Sequence, residues 1–255
     1  MEERMVRMYR TFDVNHDAEP SAEAKDRLSA CRFLADTLME GRYKQTADFP
    51  KFLSIAVSGL LLALNDPDSD VRLAADESLN KVLKTHLDMH QGRIQLELYK
   101  HIKKNNAPVR SLRAAMLKFA ELSPLTRPAK RTVFLNSLIT PLVMILGRVD
   151  SDVLQGTLQH FIPVICKEFG LHFDSGQMQT LLDACTDNIT STSPVARRAA
   201  AACVAAMFRY CPGGDHFIPS TMQRLAQIVS AEEVTETDVL GVYGCLNAIL
   251  AITQS

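Results

Sequence analysis

The strongest constraint on the fold is a register that returns at nearly constant intervals. DPDSDVRLAADESLNKVLKTHL starts at Asp66 and APVRSLRAAMLKFAEL at Ala107; placing Val71-Arg72 over Leu112-Arg113 gives a shift of 41 residues, and the same shift reaches Val153 in VDSDVLQGTLQHFIPVI. Ala196 in TSPVARRAAAACVAAMF and Val239 in ETDVLGVYGCLNAILAI follow at steps of 43, and a step back of 43 from Val71 reaches Leu28 in AKDRLSACRFLADTLME. Further helical spacing lies between these six segments, over residues 49–64, 93–103, 130–146, 177–189 and 218–229, so each period holds two helices. A helix pair repeated at this interval predicts an all-α fold, an α-solenoid of HEAT repeats built from antiparallel pairs; tetratricopeptide repeats would recur at about 34 residues. One pair cannot bury its apolar face alone, so neighbours must stack into a continuous core that leaves long faces for partners.

Composition excludes the competing classes. With 11 Gly and 11 Pro in 255 residues, the turn signals of a β-sandwich or barrel are too sparse. The longest apolar run, Phe52 to Leu64, is shorter than the roughly 20 residues of a membrane-spanning helix, so no span is expected. The charged N-terminus MEERMVRMYRTF is unlike a signal peptide and points to the cytoplasm or nucleus. The six cysteines are scattered without CxxC pairs and read as small buried hydrophobes in a reducing compartment.

Local signals agree with the register. Asp66-Pro67 and Ser193-Pro194 each join a capping side chain to a proline at a helix start, and Pro108 follows Asn106-Ala107 in the same way. Asp68 and Asp70, Asp150 and Asp152, and Glu236 and Asp238 complement the dipoles of three second helices. Ala74-Ala75, Ala114-Ala115 and Ala199 to Ala202 allow helices to approach closely. Asp70 and Arg72, with Arg113 and Arg197 at matching positions, are expected to tie repeats together, each arginine reaching an aspartate of the adjacent layer.

No catalytic, cofactor or metal residues are assigned, and no enzyme is expected. Cys166, Cys203 and Cys245 occupy apolar helix positions without a catalytic signature around them. His86 and His90 have a spacing that could hold zinc on one helix face, but they sit where a helix is expected to end near Gly92, with no cysteine pair beside them. Gly170 and Gly213-Gly214 lack any phosphate-binding pattern and read as turns.

Charge is distributed unevenly although the whole chain carries only −1. Between residues 93 and 131 stand Arg93, Lys100, Lys103, Lys104, Arg110, Arg113, Lys118, Arg127, Lys130 and Arg131 against Glu97 and Glu121 alone, while the flanking segments are net acidic. Such a band is a candidate partner surface, with the remaining charges solvating outer helix faces. The only interleaved aromatics are Tyr99 and Phe119, which places an acidic protein, or another part of the same solenoid, ahead of nucleic acid. Binding of nucleic acid or an anionic membrane through this band is the alternative function, marked by a steep loss with salt.

SDVRLAADESLNKVLK (Ser69 to Lys84) with RIQLELYKHIKKNNAPVRSLRAAMLKFAEL (Arg93 to Leu122) resembles the N-terminal HEAT domain of the huntingtin family, and weaker similarity runs from about Lys25 to the end of the chain. The resemblance implies a non-catalytic scaffold in the cytoplasm, with nuclear and vesicle-associated pools, acting in vesicle and axonal transport and selective autophagy. The implied partners are other huntingtin segments, huntingtin-associated proteins, and transport and autophagy adaptors. It also implies a short amphipathic N-terminal helix followed, in vertebrate members, by polyglutamine and proline-rich tracts. DVNHDAEPSAEA after Phe12 contains neither, a pattern that fits an invertebrate member, so polyglutamine aggregation does not carry over.

Residues 1–23 are set apart as an amphipathic or disordered segment before the repeats of 24–255. Met1, Met5, Met8, Tyr9 and Phe12 oppose Arg4, Arg7 and Arg10, and docking on a membrane surface, docking on the first repeat and a disordered tail all remain open. The last helical stretch, Val239 to Ile252, is apolar nearly all round, as when another repeat follows, which predicts partial self-association.

Overall fold

The computed structural model describes residues 1–12, 23–104 and 106–253. Among them are twelve α-helices and no strand: α1 Glu2–Arg10, α2 Ala24–Met39, α3 Gly41–Lys44, α4 Phe49–Ala63, α5 Ser69–Ile102, α6 Val109–Leu122, α7 Pro128–Leu146, α8 Asp152–Phe169, α9 Ser175–Asp187, α10 Pro194–Tyr210, α11 Ile218–Val229 and α12 Glu236–Thr253. The chain divides into two compact units, Met1–Leu122 and Ser123–Ser255. Each is an all-α stack of HEAT-type helix pairs. The repeat period reappears in three dimensions as the sequence separation of side-chain bonds within each unit. Arg27 to Asp66 spans 39 residues, Lys81 to Asp36 spans 45, Gln177 to Asn136 spans 41, and Asn188 to the Leu146 carbonyl spans 42. Within each unit, neighbouring repeats therefore bond to one another, the contact pattern a stacked array requires.

In the first unit, α1 lies against α2 and α4. Met5 is fully buried, Arg4 stands 4.3 Å over the Phe33 ring, and Glu2 pairs with Lys51 at 2.6 Å. Gly59 makes room for this helix: a Cβ there would meet Leu34 Cδ1 at 3.0 Å and Tyr9 Cδ2 at 3.3 Å. Residues 1–12 thus dock on the first repeat, whereas the segment without polyglutamine, 13–22, lies outside the described residues.

The second helix of one repeat and the first helix of the next run on in α5, separated by a kink at His90 whose backbone (φ −127°, ψ 18°) is not helical, two residues before Gly92, where the sequence places the helix end. His86 is buried, and the His86 and His90 rings pack on Phe49 with centroids 5.0 and 4.8 Å away. The bend lets both halves of α5 follow the core around Phe49, which a straight 34-residue helix could not do.

Where α5 meets α6, buried His101 places Nε2 2.9 Å from Ser111 Oγ. Burial, helped by the Lys104 charge, pushes the His101 pKa down to about 4. An unfolded chain takes up this proton near about pH 6.5, and the folded one does not until about 4. Protonation in that window favours unfolding, so stability should be full above about pH 6.5 and decline as pH falls toward 4. His86, lowered chiefly by burial and then by Lys44, acts in the same sense. Urea titrations across this range should give a shallower decline for His101→Gln than for the parent; equal slopes would count against the assignment.

The second unit begins with α7. Among the described residues it is the one helix that length and composition would allow to cross a membrane, although the sequence reading expects no span. Thr132, Asn136 and Thr140 interrupt its apolar residues, which is why the longest unbroken apolar run lies elsewhere. Its face of Phe134, Leu135, Leu138, Leu142 and Ile145 is buried, and it packs on α8 and α9. Cys166, Cys185, Cys203, Cys211 and Cys245 are free thiols buried in this unit, and Ala199 and Ala200 are fully buried where α10 meets α8 and α12.

Helix starts are placed partly otherwise than expected. Ser193 caps α10 as read, its Oγ accepting from the Ala196 amide at 3.2 Å. The cap of α5 is Asp68, which accepts from the Asp70 amide at 2.8 Å, while Asp66 turns inward. Ser151 caps α8, and Thr235 and Asp238 bond reciprocally at the start of α12. At α6, Asn65 supplies the acceptor for the Ser111 amide at 3.2 Å.

Candidate protein-interaction surface

Arg72, Arg113 and Arg197 share one register position near the starts of α5, α6 and α10. Arg72 Nη1 donates to the carbonyls of Asp66 at 2.7 Å and Pro67 at 2.6 Å, and Arg197 Nη1 to those of Ser191 at 2.7 Å and Thr192 at 3.1 Å. Both guanidinium groups strap the turn before their own helix, using the same offsets, instead of reaching an aspartate of the next layer. Turn carbonyls without a helical partner are nearer and need donors, so they take the arginine. Asp70 is exposed on the first turn of α5 and receives no arginine among the described residues. Arg113 is exposed and its guanidinium has no partner among the described residues, the start of α6 being held by Asn65 instead.

Besides Lys81 with Asp36, two further sets of charge pairs join layers, and neither involves the arginines that the repeat register singles out. Arg27 and Asp66 form a buried bidentate pair with bonds of 2.6 and 2.8 Å, and Arg224 reaches Asp183 at 2.7 Å and also Asp187. The signal for the first was an arginine amid the apolar positions of α2; the Asp-Pro dipeptide at residue 66 disguised its partner as a cap.

The basic band separates into spent and unspent charges. Arg93 Nε donates to Ser54 Oγ at 2.6 Å and lies 3.5 Å from Glu97, which also takes Lys100 at 3.0 Å. Lys118 pairs with Glu121 at 3.3 Å. Arg131 is structural, donating to the carbonyls of Thr126 at 3.1 Å and Glu168 at 2.9 Å, with Phe169 5.9 Å beneath it. Lys103, Lys104 and Arg110, like Arg113, are exposed and without partners among the described residues, in the first unit; Arg127 and Lys130 have the same status in the second. Tyr99 and Phe119 are both buried, so the band has no exposed ring.

A second surface is mostly apolar. On α12, Val242 and Cys245 face inward, and the helix packs on α10 and α11. The other side carries Leu240, Tyr243 and Leu250 at 52%, 64% and 53% exposure. Exposed Asn247 stands between the last two, so the stripe advances in steps of three, four and three residues with one polar side chain in it. Among the described residues no three His, Cys, Asp or Glu side chains converge on a metal-sized site.

A family model described as Huntingtin, N-terminal HEAT 1, matches residues 60–213. The chain belongs to the huntingtin N-terminal HEAT family. The match contains the whole of the basic band, both strapping arginines and Arg113. Huntingtin of Takifugu rubripes is 34% identical over 238 residues, covering 92% of this chain and 8% of its own length. The HD protein homolog of Dictyostelium discoideum is 22% identical, covering 77% of this chain and 10% of its own. The chain thus spans a tenth or less of these huntingtin relatives. Among solved structures, a designed armadillo repeat protein in complex with the peptide (KR)4 covers 96% of this chain at 15% identity with a TM-score of 0.45. Membership in the huntingtin family rests on the sequence match alone.

Proposed function

We propose that this chain is a non-catalytic scaffold module that presents helix faces to partner proteins, first among them other segments of the huntingtin-family polypeptide. The observation that carries this reading is the outer face of α12, where Leu240, Tyr243 and Leu250 stay in water while the opposite face is packed. Exposing such a stripe forfeits about 25 cal/mol for each Å² of apolar surface, so a partner's apolar face stabilises it. A second copy of the chain presents the same stripe, so sedimentation velocity over a wide concentration range should show reversible self-association that Leu240→Glu with Tyr243→Glu abolishes. A strict monomer, or association indifferent to that double variant, would overturn the reading.

Family membership extends the proposal to vesicle and axonal transport and selective autophagy, through transport and autophagy adaptors, in the cytoplasm with nuclear and vesicle-associated pools. Proximity labelling from the chain in cells should tag such adaptors in excess of nucleic-acid-binding proteins.

A further inference from the structure

We propose that Lys103, Lys104, Arg110 and Arg113 form a docking site for an acidic protein segment, which deepens the scaffold reading above and rests on it. No acid occurs in sequence between Glu97 and Glu121, and those two carboxylates are occupied by Lys100 and Lys118 at the margins. The four cations between them have no partner among the described residues and are exposed. Backbone geometry gathers them at one end of a helix pair. Lys103 closes the last turn of α5, its amide donating to the Tyr99 carbonyl at 3.0 Å, and the Lys104 carbonyl accepts from the Ala107 amide at 3.2 Å. Arg110 and Arg113 follow on the first turns of α6, three residues apart and therefore on neighbouring positions of one helix face.

Arg113 supplies an independent argument. At the same register position, Arg72 and Arg197 are consumed by turn carbonyls, whereas Asn65 holds the start of α6 and leaves Arg113 unspent. Two arginines also sit on a helix start that carries no acid, so their charges add to the positive end of the helix instead of cancelling it.

The chemistry of the site selects the ligand. Guanidinium groups bind carboxylates through paired hydrogen bonds, and two lysines beyond the turn extend the field to further acids. Single-stranded nucleic acid needs stacking platforms, and the aromatics of this region, Tyr99 and Phe119, are buried. Apolar side chains for membrane insertion are absent from the four-residue cluster itself. An acidic peptide segment fits what is presented.

The test uses the full chain with a labelled synthetic peptide of alternating glutamate and serine, a single-stranded oligothymidylate, and phosphatidylcholine vesicles containing phosphatidylserine. The peptide should bind with an affinity that falls as salt rises. Combined Lys103→Glu, Lys104→Glu, Arg110→Glu and Arg113→Glu should weaken it about tenfold or more, with an unchanged thermal melt. Reversing four exposed lysines elsewhere, Lys25, Lys44, Lys84 and Lys167, changes net charge equally and should alter binding by less than about twofold. Equal losses in the two variants would reduce the effect to net charge and overturn the site. Absence of peptide binding would overturn it too, and tighter binding of the oligonucleotide or the vesicles would overturn the partner class. None of these results touches the α12 association measurement, so this proposal and the scaffold reading fail separately.

Discussion

Arg27→Met should cost about 3–5 kcal/mol, because it leaves the Asp66 carboxylate buried without its counter-charge. The two side chains are 6% and 4% exposed, and both guanidinium bonds are short, at 2.6 and 2.8 Å. Burial on this scale means that water cannot replace the lost donor. Asp66 is also a local organiser: its Oδ1 accepts from the Asp68 amide at 2.9 Å and its carbonyl receives Arg72. Asp66→Leu should therefore cost at least as much, since it uncovers Arg27 and loosens the turn before α5 together. The double variant Arg27→Met with Asp66→Leu removes both charges and should recover much of the loss, as replacements of buried ion pairs by apolar side chains often do. Urea denaturation of the four species gives the coupling energy directly. A single-variant cost under about 1 kcal/mol, or a double variant as unstable as the sum of the singles, would show that the pair is not what joins these layers.

The contrast between this pair and Arg72 shows what a sequence discloses about a stacked repeat. Periodicity reports which residues face the core, because burial imposes the 3.6-residue spacing on every layer alike. Val71, Leu112 and Ala196 were legible for that reason and are buried, whereas Val153 and Val239, which the same register aligns with them, are exposed, the core side chains there being Leu154 and Val242. A polar side chain obeys no such rule. Arg72 had both an aspartate-rich neighbourhood and two turn carbonyls to choose from, and only the backbone path between α4 and α5 decides for the carbonyls. The break within α5 was legible to within two residues. His90 and Gly92 look like an end, and His90 does leave the helical conformation; what stayed hidden is that Phe49 from another helix packs under the kink and that the helix resumes directly after it. Of the basic band, composition disclosed the excess of charge. Its division into Arg93, Lys100, Lys118 and Arg131, which are engaged, and the exposed remainder depended on Ser54, Glu97, Glu121 and Glu168 being near in space.

Close approach of backbones is the other quantity that a sequence hides, and α12 depends on it. Gly241 is buried where α12 meets the turn after α9. A Cβ at this position would lie 1.9 Å from the Ile189 carbonyl oxygen and 2.9 Å from its carbon. Both are backbone atoms, held by the 3₁₀ turn Asn188–Thr190, whose Asn188 side chain is anchored to the Leu146 carbonyl at 2.8 Å. Neither partner has a rotamer to change, so Gly241→Ala must push α12 away from its seat and should destabilise the second unit by about 3 kcal/mol. The same substitution three residues on should have the opposite sign. Nothing lies within 4 Å of a Cβ at Gly244, so Gly244→Ala removes only the entropic penalty of an interior helix glycine and should stabilise by up to about 1 kcal/mol. Hydrogen exchange would locate both effects, with the amides of α12 losing protection in Gly241→Ala while those of α8 keep theirs. If the two alanine variants melt alike, the contact with Ile189 does not position α12, and the exposed stripe of Leu240, Tyr243 and Leu250 loses the rigid support on which its role as a partner face depends.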